Sequence, residues 1–245
     1  MGVPVFLADT GALRADGPLV LTGPEGRHAV TVRRIRPGER VDVTDGEGLV
    51  ARCSVRATGG DGLVLDVLAR EEADPPSPRL VVVQALPKGD RGELAVEAMT
   101  EVGVDVVVPW AASRCVTRWR DARGEKSLAR WRSAAREAGK QSRRTRFPQM
   151  HPLASTDDVV ALLAAAALPA VLHEEAQARL AALDPPVSGD VVLVVGPEGG
   201  IAPEELAAFA AVGAAAYRLG DTVLRTSTAG VAALAVLLAR TGRWG

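Results

Sequence analysis

Val191-Val192-Leu193-Val194-Val195-Gly196-Pro197-Glu198-Gly199-Gly200, followed after one helix-forming stretch by Leu219-Gly220-Asp221-Thr222-Val223-Leu224-Arg225-Thr226, decides the fold. The apolar, β-branched run reads as a fully buried strand, and the glycines behind it let backbone approach a ligand where side chains would collide. Glu204 and Glu205 then open an amphipathic helix just past Pro203, the right polarity for a helix N-terminus. The second glycine loop leads into Thr226 or Thr228 as N-cap of an Ala/Val/Leu-rich helix, 229–240. Two helix starts therefore flank one strand edge, the layout of a site built from two loops. Taken alone, the first loop could equally be a tight strand-to-helix turn.

Outward from this pair of loops, strands and helices alternate. Strands are expected at 80–84, 105–109, 170–173, 191–195 and 215–218, and helices at 90–102, 125–142, 156–167, 174–182, 203–211 and 227–240. That order predicts an α/β domain with a mostly parallel sheet over residues 80–245. Before it, short alternating runs (19–21, 40–44, 49–55 and 63–67) with turns at Asp45-Gly46 and Gly59-Gly60-Asp61-Gly62 predict a small β-barrel over 1–72. A proline-bearing linker, 73–79, separates the two.

Composition excludes several classes. The hydrophobic fraction of 47% is that of a globular chain. The longest apolar run, Val159 to Leu172, contains Pro169 and is shorter than the roughly 18 residues of a membrane span. The N-terminus lacks a basic region followed by an apolar stretch, so a cytoplasmic location is expected. Cys53 and Cys115 are far apart, and His28, His151 and His173 stand alone, so neither a metal site nor a Ser/His/Asp arrangement is expected. The net charge of −1 conceals an asymmetry: Arg114 to Arg146 holds twelve Lys/Arg against three Asp/Glu, a local +9. A one-signed segment in an otherwise acidic chain points to nucleic acid, although a charge run can also be a solvated face.

The two loops, together with Leu86-Pro87-Lys88-Gly89-Asp90-Arg91, Thr100-Glu101-Val102-Gly103-Val104 and Glu137-Ala138-Gly139-Lys140-Gln141-Ser142-Arg143-Arg144, resemble the RsmE family of ribosomal RNA uridine methyltransferases in the right order. The likeness runs over nearly the whole chain and is strongest from residue 86 onward. It implies an N-terminal PUA-like RNA-binding barrel and a SPOUT methyltransferase domain, an α/β fold with a trefoil knot that no pattern in the sequence reveals. It further implies S-adenosylmethionine as cofactor, 16S ribosomal RNA or the small ribosomal subunit as substrate, N3 of a uridine as acceptor, and a homodimer. A dimer also suits the helix Val231 to Leu238, which has more apolar surface than one face can bury. Two departures stand out. Arg33 occupies a position where the family usually has leucine, and Ser227 replaces a common glutamate whose role cannot be carried over.

The residues sort into roles. Leu172, Gly196, Gly199, Gly200, Ile201, Leu219, Gly220, Leu224 and Thr226, with Glu198 and Arg225, are candidates for the cofactor site, since open parallel sheets bind ligands at strand C-termini. The leucines among them could instead be core. Glu198 could anchor the helix behind it or face the methyl donor or the uracil. Arg225 could stabilise the anion on uracil as N3 loses its proton, hold a phosphate, or pair with a buried carboxylate. These two are the candidate catalytic residues. Candidate RNA contacts are His28, Arg34, Lys88, Arg91, Arg132, Arg136, Lys140, Gln141, Ser142 and Arg144. On the helix 125–142, Leu128, Trp131, Ala135 and Ala138 share a face and read as core, with base stacking the lesser role for Trp131. The rival functions are a non-enzymatic RNA-binding protein, another RNA methyltransferase of the same fold class, and a nucleotide-binding α/β enzyme. The last is disfavoured because neither GxxxxGK[ST] nor GxGxxG surrounds residues 196–201.

Overall fold

The computed structural model describes residues 2–244, which divide into two compact units, one of residues 2–75 with Gly139–Phe147 and one of Pro76–Ala138 with residues 148–244. In the first unit, strands β1 (Val5–Leu7), β2 (Leu19–Leu21), β3 (Arg40–Thr44), β4 (Leu49–Gly59) and β5 (Gly62–Glu72) form one sheet in the order β1-β3-β4-β5-β2. The long β4–β5 hairpin alternates as its sequence dictates, with Cys53, Val55, Leu63 and Leu65 inward, and register shifts at Arg52/Cys53 and Val55/Ala57 bend it. Two short helices, α1 (Thr10–Arg14) and α2 (Gly23–Arg27), the latter running on as a π-helical turn at His28–Val32, complete the unit. Asp9 caps α1 by accepting from the Ala12 N–H at 2.9 Å. Arg33 is helical and Arg34 takes the left-handed conformation, φ 53°, so the segment where leucine gives way to arginine is a turn rather than a strand.

Residues 139–147 belong to this unit although they lie far along the chain. Phe147 N–H donates to Gly46 O at 2.7 Å, Gly48 N–H to Thr145 O at 3.1 Å, and Glu47 bridges to Arg146. Lys140 and Glu25 form an ion pair at 2.9 Å with the lysine side chain 5% exposed.

The second unit is built on β6 (Arg79–Ala85), β7 (Val106–Trp110), β8 (Gln149–Met150), β9 (Leu168–Leu172), β10 (Ala178–Arg179), β11 (Asp190–Val195) and β12 (Ala215–Arg218). All neighbours are parallel, in the order β10-β12-β9-β11-β6-β7-β8. Central β6 and β11 are buried nearly throughout, which is why Leu80–Val83 and Val191–Val195 read as apolar runs. The helices are α3 (Arg91–Val102), α4 (Asp121–Gln141), α5 (Thr156–Ala165), α6 (Pro203–Ala211) and α7 (Thr226–Arg240). α3 packs on α7, and α7 on β6 and β11. Leu128, Trp131, Ala135 and Ala138 are the buried face of α4, as their spacing predicts. Buried Asp105 accepts from the Leu80 N–H and pairs with Arg243 at 2.6 Å.

The helix expected at 174–182 does not form. Ala178–Arg179 instead extend the sheet edge as β10, paired with β12, and Leu180–Ala182 make one 3₁₀ turn that buries Leu180. Edge pairing overrides the good helix propensity of Glu174, Glu175, Ala176 and Gln177.

Candidate active site

Strands β9, β11 and β12 end at Leu172, Val195 and Arg218, and the loops that follow them enclose a cavity of about 660 Å³. All eleven residues expected around the cofactor line it: Leu172, Gly196, Glu198, Gly199, Gly200, Ile201, Leu219, Gly220, Leu224, Arg225 and Thr226. The apolar members are divided between wall and core. Ile201 is buried, Leu172 and Leu219 are half-buried, and Leu224 is 38% exposed.

Each glycine has a distinct reason. Gly200 sits at φ +73° and closes a turn through its N–H to Pro197 O at 2.9 Å. A Cβ on Gly196 would lie 2.7 Å from Ile201 Cγ1, so glycine there lets Ile201 fold back over the end of β11. A Cβ on Gly199 would stand 3.3 Å from the backbone and Cβ of Arg114, whose guanidinium donates to Gly199 O at 3.2 Å. Nothing lies within 4 Å of a Cβ on Gly220, which faces open space. The left-handed backbone therefore belongs to Gly200 and not to Gly199 or Gly220.

Two helix starts frame the cavity. Glu205, buried in the first turn of α6, accepts from Ala202 N–H at 3.1 Å, from Ser113 N–H at 2.8 Å and from the Thr156 hydroxyl at 3.0 Å. It thereby caps its own helix and ties it to the segment after β7 and to the first residue of α5. At α7 the N-cap is Arg225, whose carbonyl accepts from Thr228 and Ala229 N–H. Neither Thr226 nor Thr228 caps by its side chain: Thr226 is buried at the first helical position, and the Thr228 hydroxyl donates to Arg225 O at 3.2 Å. The wholly buried Gln84 donates to Thr226 O at 3.3 Å.

Glu198 does not cap the helix behind it. Its carboxylate accepts the Lys88 N–H at 3.1 Å, joining the 86–91 loop to the 196–200 loop. Arg225 is exposed, lines the cavity, and makes no side-chain hydrogen bond or ion pair among the described residues, so no buried carboxylate claims it. Arg218 also lines the cavity, its Nε buried without a hydrogen-bond partner among the described residues. Glu174, Glu175, His173, Tyr217 and Arg114 contribute to the wall as well. Sequence reasoning passed over the two glutamates by placing them in a helix. The S-adenosylmethionine that the resemblance implies fits this cavity in kind, because apolar side chains and free loop backbone suit an adenosine while charged groups of both signs suit an amino-acid tail. Among the described residues no cluster of three or more His, Cys, Asp and Glu could hold a metal.

The candidate RNA contacts are divided between the two units. In the second unit, Lys88, Arg91, Arg132 and Arg136 are exposed. In the first, Arg34 and Gln141 are exposed, and half-buried His28 meets Phe6 edge-on at 6.3 Å. The Ser142 hydroxyl donates to Gly139 O at 3.4 Å, and Arg144 donates to Arg146 O at 2.8 Å. Lys140 is a correction: it turns inward to Glu25 instead of presenting its ammonium to solvent.

Comparison with known proteins bears directly on this geometry. A family model described as an RNA methyltransferase domain matches residues 75–238, and one described as an RNA methyltransferase PUA domain matches residues 21–68. The ribosomal RNA small subunit methyltransferase E of Mycobacterium bovis is 50% identical, covering 97% of this chain and 90% of its own. That of Bacillus subtilis is 28% identical, covering 89% and 88%. Among solved structures, ribosomal RNA small subunit methyltransferase E from Neisseria gonorrhoeae, bound to S-adenosyl methionine, superposes with a TM-score of 0.83 at 25% identity, covering 97% and 98%. A methyltransferase from Legionella pneumophila with bound cofactor SAM gives 0.83 at 26%, covering 98% of each chain.

Proposed function

The chain belongs to the RNA methyltransferase family whose domain spans residues 75–238, and on that premise we propose that it methylates N3 of a uridine in small-subunit ribosomal RNA, using S-adenosylmethionine. The observation that carries this reading is the single cavity formed by the loops after β9, β11 and β12, into which every residue expected at the cofactor converges. The cofactor brings a methyl group already activated on a sulfonium. What the protein must add is binding, alignment, exclusion of water and help with the acceptor's proton.

The 196–200 and 219–226 loops hold the cofactor in this reading, with Gly220 leaving room for it and Leu172, Ile201, Leu219 and Leu224 against its apolar part. N3 lies on the Watson–Crick edge, so the uridine must be unpaired or swung from its stack, at a cost of a few kcal/mol offset by contacts elsewhere. We assign to Arg225, which makes no side-chain hydrogen bond or ion pair among the described residues, the stabilisation of the negative charge that uracil acquires as N3 is deprotonated. Glu198 is assigned to hold the 86–91 loop in place. Exposed Arg132, Arg136, Lys88 and Arg91 are assigned to phosphates, which position the RNA without reading its sequence.

The protein is read as a cytoplasmic homodimer; no helix among the described residues is long and apolar enough to cross a membrane. Val223 is 75% exposed, and Val231, Ala235 and Val236 on α7 are half-buried, an apolar surface suited to a second copy. The deciding experiment is transfer of labelled methyl from S-adenosylmethionine to small-subunit ribosomal RNA from a strain deleted for the gene, with nucleoside analysis. N3-methyluridine at one position is expected; absence of transfer to both naked RNA and intact subunits would overturn the proposal.

A further inference from the structure

The second unit holds another cavity, of about 350 Å³, between the 86–92 segment and the start of α4. Half-buried Trp119 lines it and meets buried Trp131 edge-to-face, centroids 4.9 Å apart and planes at 80°. A T-shaped contact fixes both indole planes while leaving at least one face of each ring outside the pair. Arg123, Lys126 and Arg130 also line the cavity, spaced three and four residues apart on one face of α4. Arg130 pairs with Glu93 at 3.1 Å, whereas Arg123 and Lys126 make no side-chain hydrogen bond or ion pair among the described residues. An aromatic ring beside two uncommitted cations is the composition that binds single-stranded nucleic acid.

One wall of this cavity is tied by a hydrogen bond to the candidate active site. Leu86, Pro87 and Gly89 line it, the Thr117 hydroxyl donates to Pro87 O at 2.7 Å, and the intervening Lys88 N–H is held by Glu198 of the cofactor cavity. A ligand pressed against the 86–89 loop is thus one hydrogen bond, Lys88 N–H to Glu198, from the 196–200 loop.

We propose that this cavity is a second nucleotide site, taking an unpaired base of the RNA substrate against Trp119 with the adjoining phosphates on Arg123 and Lys126. The proposal rests on the methyltransferase reading for its substrate, and on the cavity alone for its chemistry. The probe is a uridine hexanucleotide, followed by the indole N–H resonances of the full-length protein, with Trp119→Phe to assign Trp119. The Trp119 resonance should move on titration. Arg123→Ala/Lys126→Ala, both exposed positions, should weaken binding at least about tenfold and lower the salt slope by about 1.4, two phosphate contacts on a single strand. Trp119→Leu should weaken it about fivefold or more, and cofactor affinity should hold in both variants. An unmoved Trp119 at saturation, wild-type affinity in the double variant, or no hexanucleotide binding by a protein that still methylates ribosomal RNA would each overturn the site. So would an equal response to inorganic phosphate or polyglutamate, which would make it a general anion site. Hexanucleotide binding at Trp119 without methyl transfer to any ribosomal RNA would uphold the site and sink the methyltransferase reading instead.

Discussion

Glu205→Ala should be among the most damaging single changes outside the apolar core. The carboxylate accepts three hydrogen bonds, from Ala202 N–H, Ser113 N–H and the Thr156 hydroxyl, and Thr156 in turn accepts from Trp110 Nε1–H at 3.3 Å. Removing the acceptor strands two backbone donors at roughly 1–3 kcal/mol each, while the hydroxyl can turn elsewhere. The expected loss is about 4 kcal/mol, or a fall in Tm of about 10 °C for a chain of this length. Glu205→Gln keeps one acceptor oxygen and should lose about half as much. Urea unfolding of the three proteins measures it, with an unchanged m-value showing that stability and not compactness has changed. A loss below about 1 kcal/mol in the alanine variant would refute the idea that this carboxylate ties α6 to its neighbours.

Gly220→Val should leave the Tm unchanged, because no atom lies near its Cβ and its φ is not left-handed, yet abolish S-adenosylmethionine binding in calorimetry; full affinity would remove that loop from the site. Gly200→Ala should behave oppositely, costing about 1–2 kcal/mol of stability from its φ of +73°. Arg225→Ala should slow methyl transfer about a hundredfold in single turnover with both ligands saturating; loss confined to RNA affinity would make it a phosphate clamp. Burial pushes the Cys53 thiol up to about 11 and raises Cys115 as well, so at pH 8 neither should react with iodoacetamide until urea is added, and rapid labelling of the native protein would contradict this burial. Asp158 is held low by the Ser155 hydroxyl and N–H, so its support for α5 should be present above the ordinary aspartate range and vanish as pH falls through its depressed value; an acid limb of stability identical in Asp158→Asn would dismiss it.

The apolar run of β11 and the two loops after β11 and β12 were legible because a central parallel strand and a close ligand approach both restrict residue type locally. Which glycine turns left-handed was not legible: Gly199 and Gly200 are chemically identical, and the structure puts the positive φ on Gly200, whose N–H closes the turn onto Pro197 O. Glu205 reads locally as a first-turn acid, and its larger role depends on Ser113 and Thr156, brought to it by tertiary folding alone. Lys140 sits in register with Arg132 and Arg136, so helical spacing assigns it to the same solvated stripe. Its partner Glu25 lies 115 residues away, beyond any local pattern. At 174–182, propensity favours a helix, and the open edge of β12 decides otherwise.

The return of Gly139–Phe147 to the N-terminal unit constrains how the chain can be made and cut. As it leaves the ribosome, the sheet of β1 to β5 emerges early, but Gly46, Gly48 and Glu25 must wait for Phe147, Thr145 and Lys140 before their contacts exist. Vectorial synthesis therefore cannot finish the first unit before more than half of the polypeptide has been translated. A fragment ending at the proline-rich linker would carry Glu25 without its lysine and the 46–48 turn without its cover. Protein engineers who want the N-terminal module by itself would have to graft the 139–147 segment onto it, since no single scission of this backbone releases it whole.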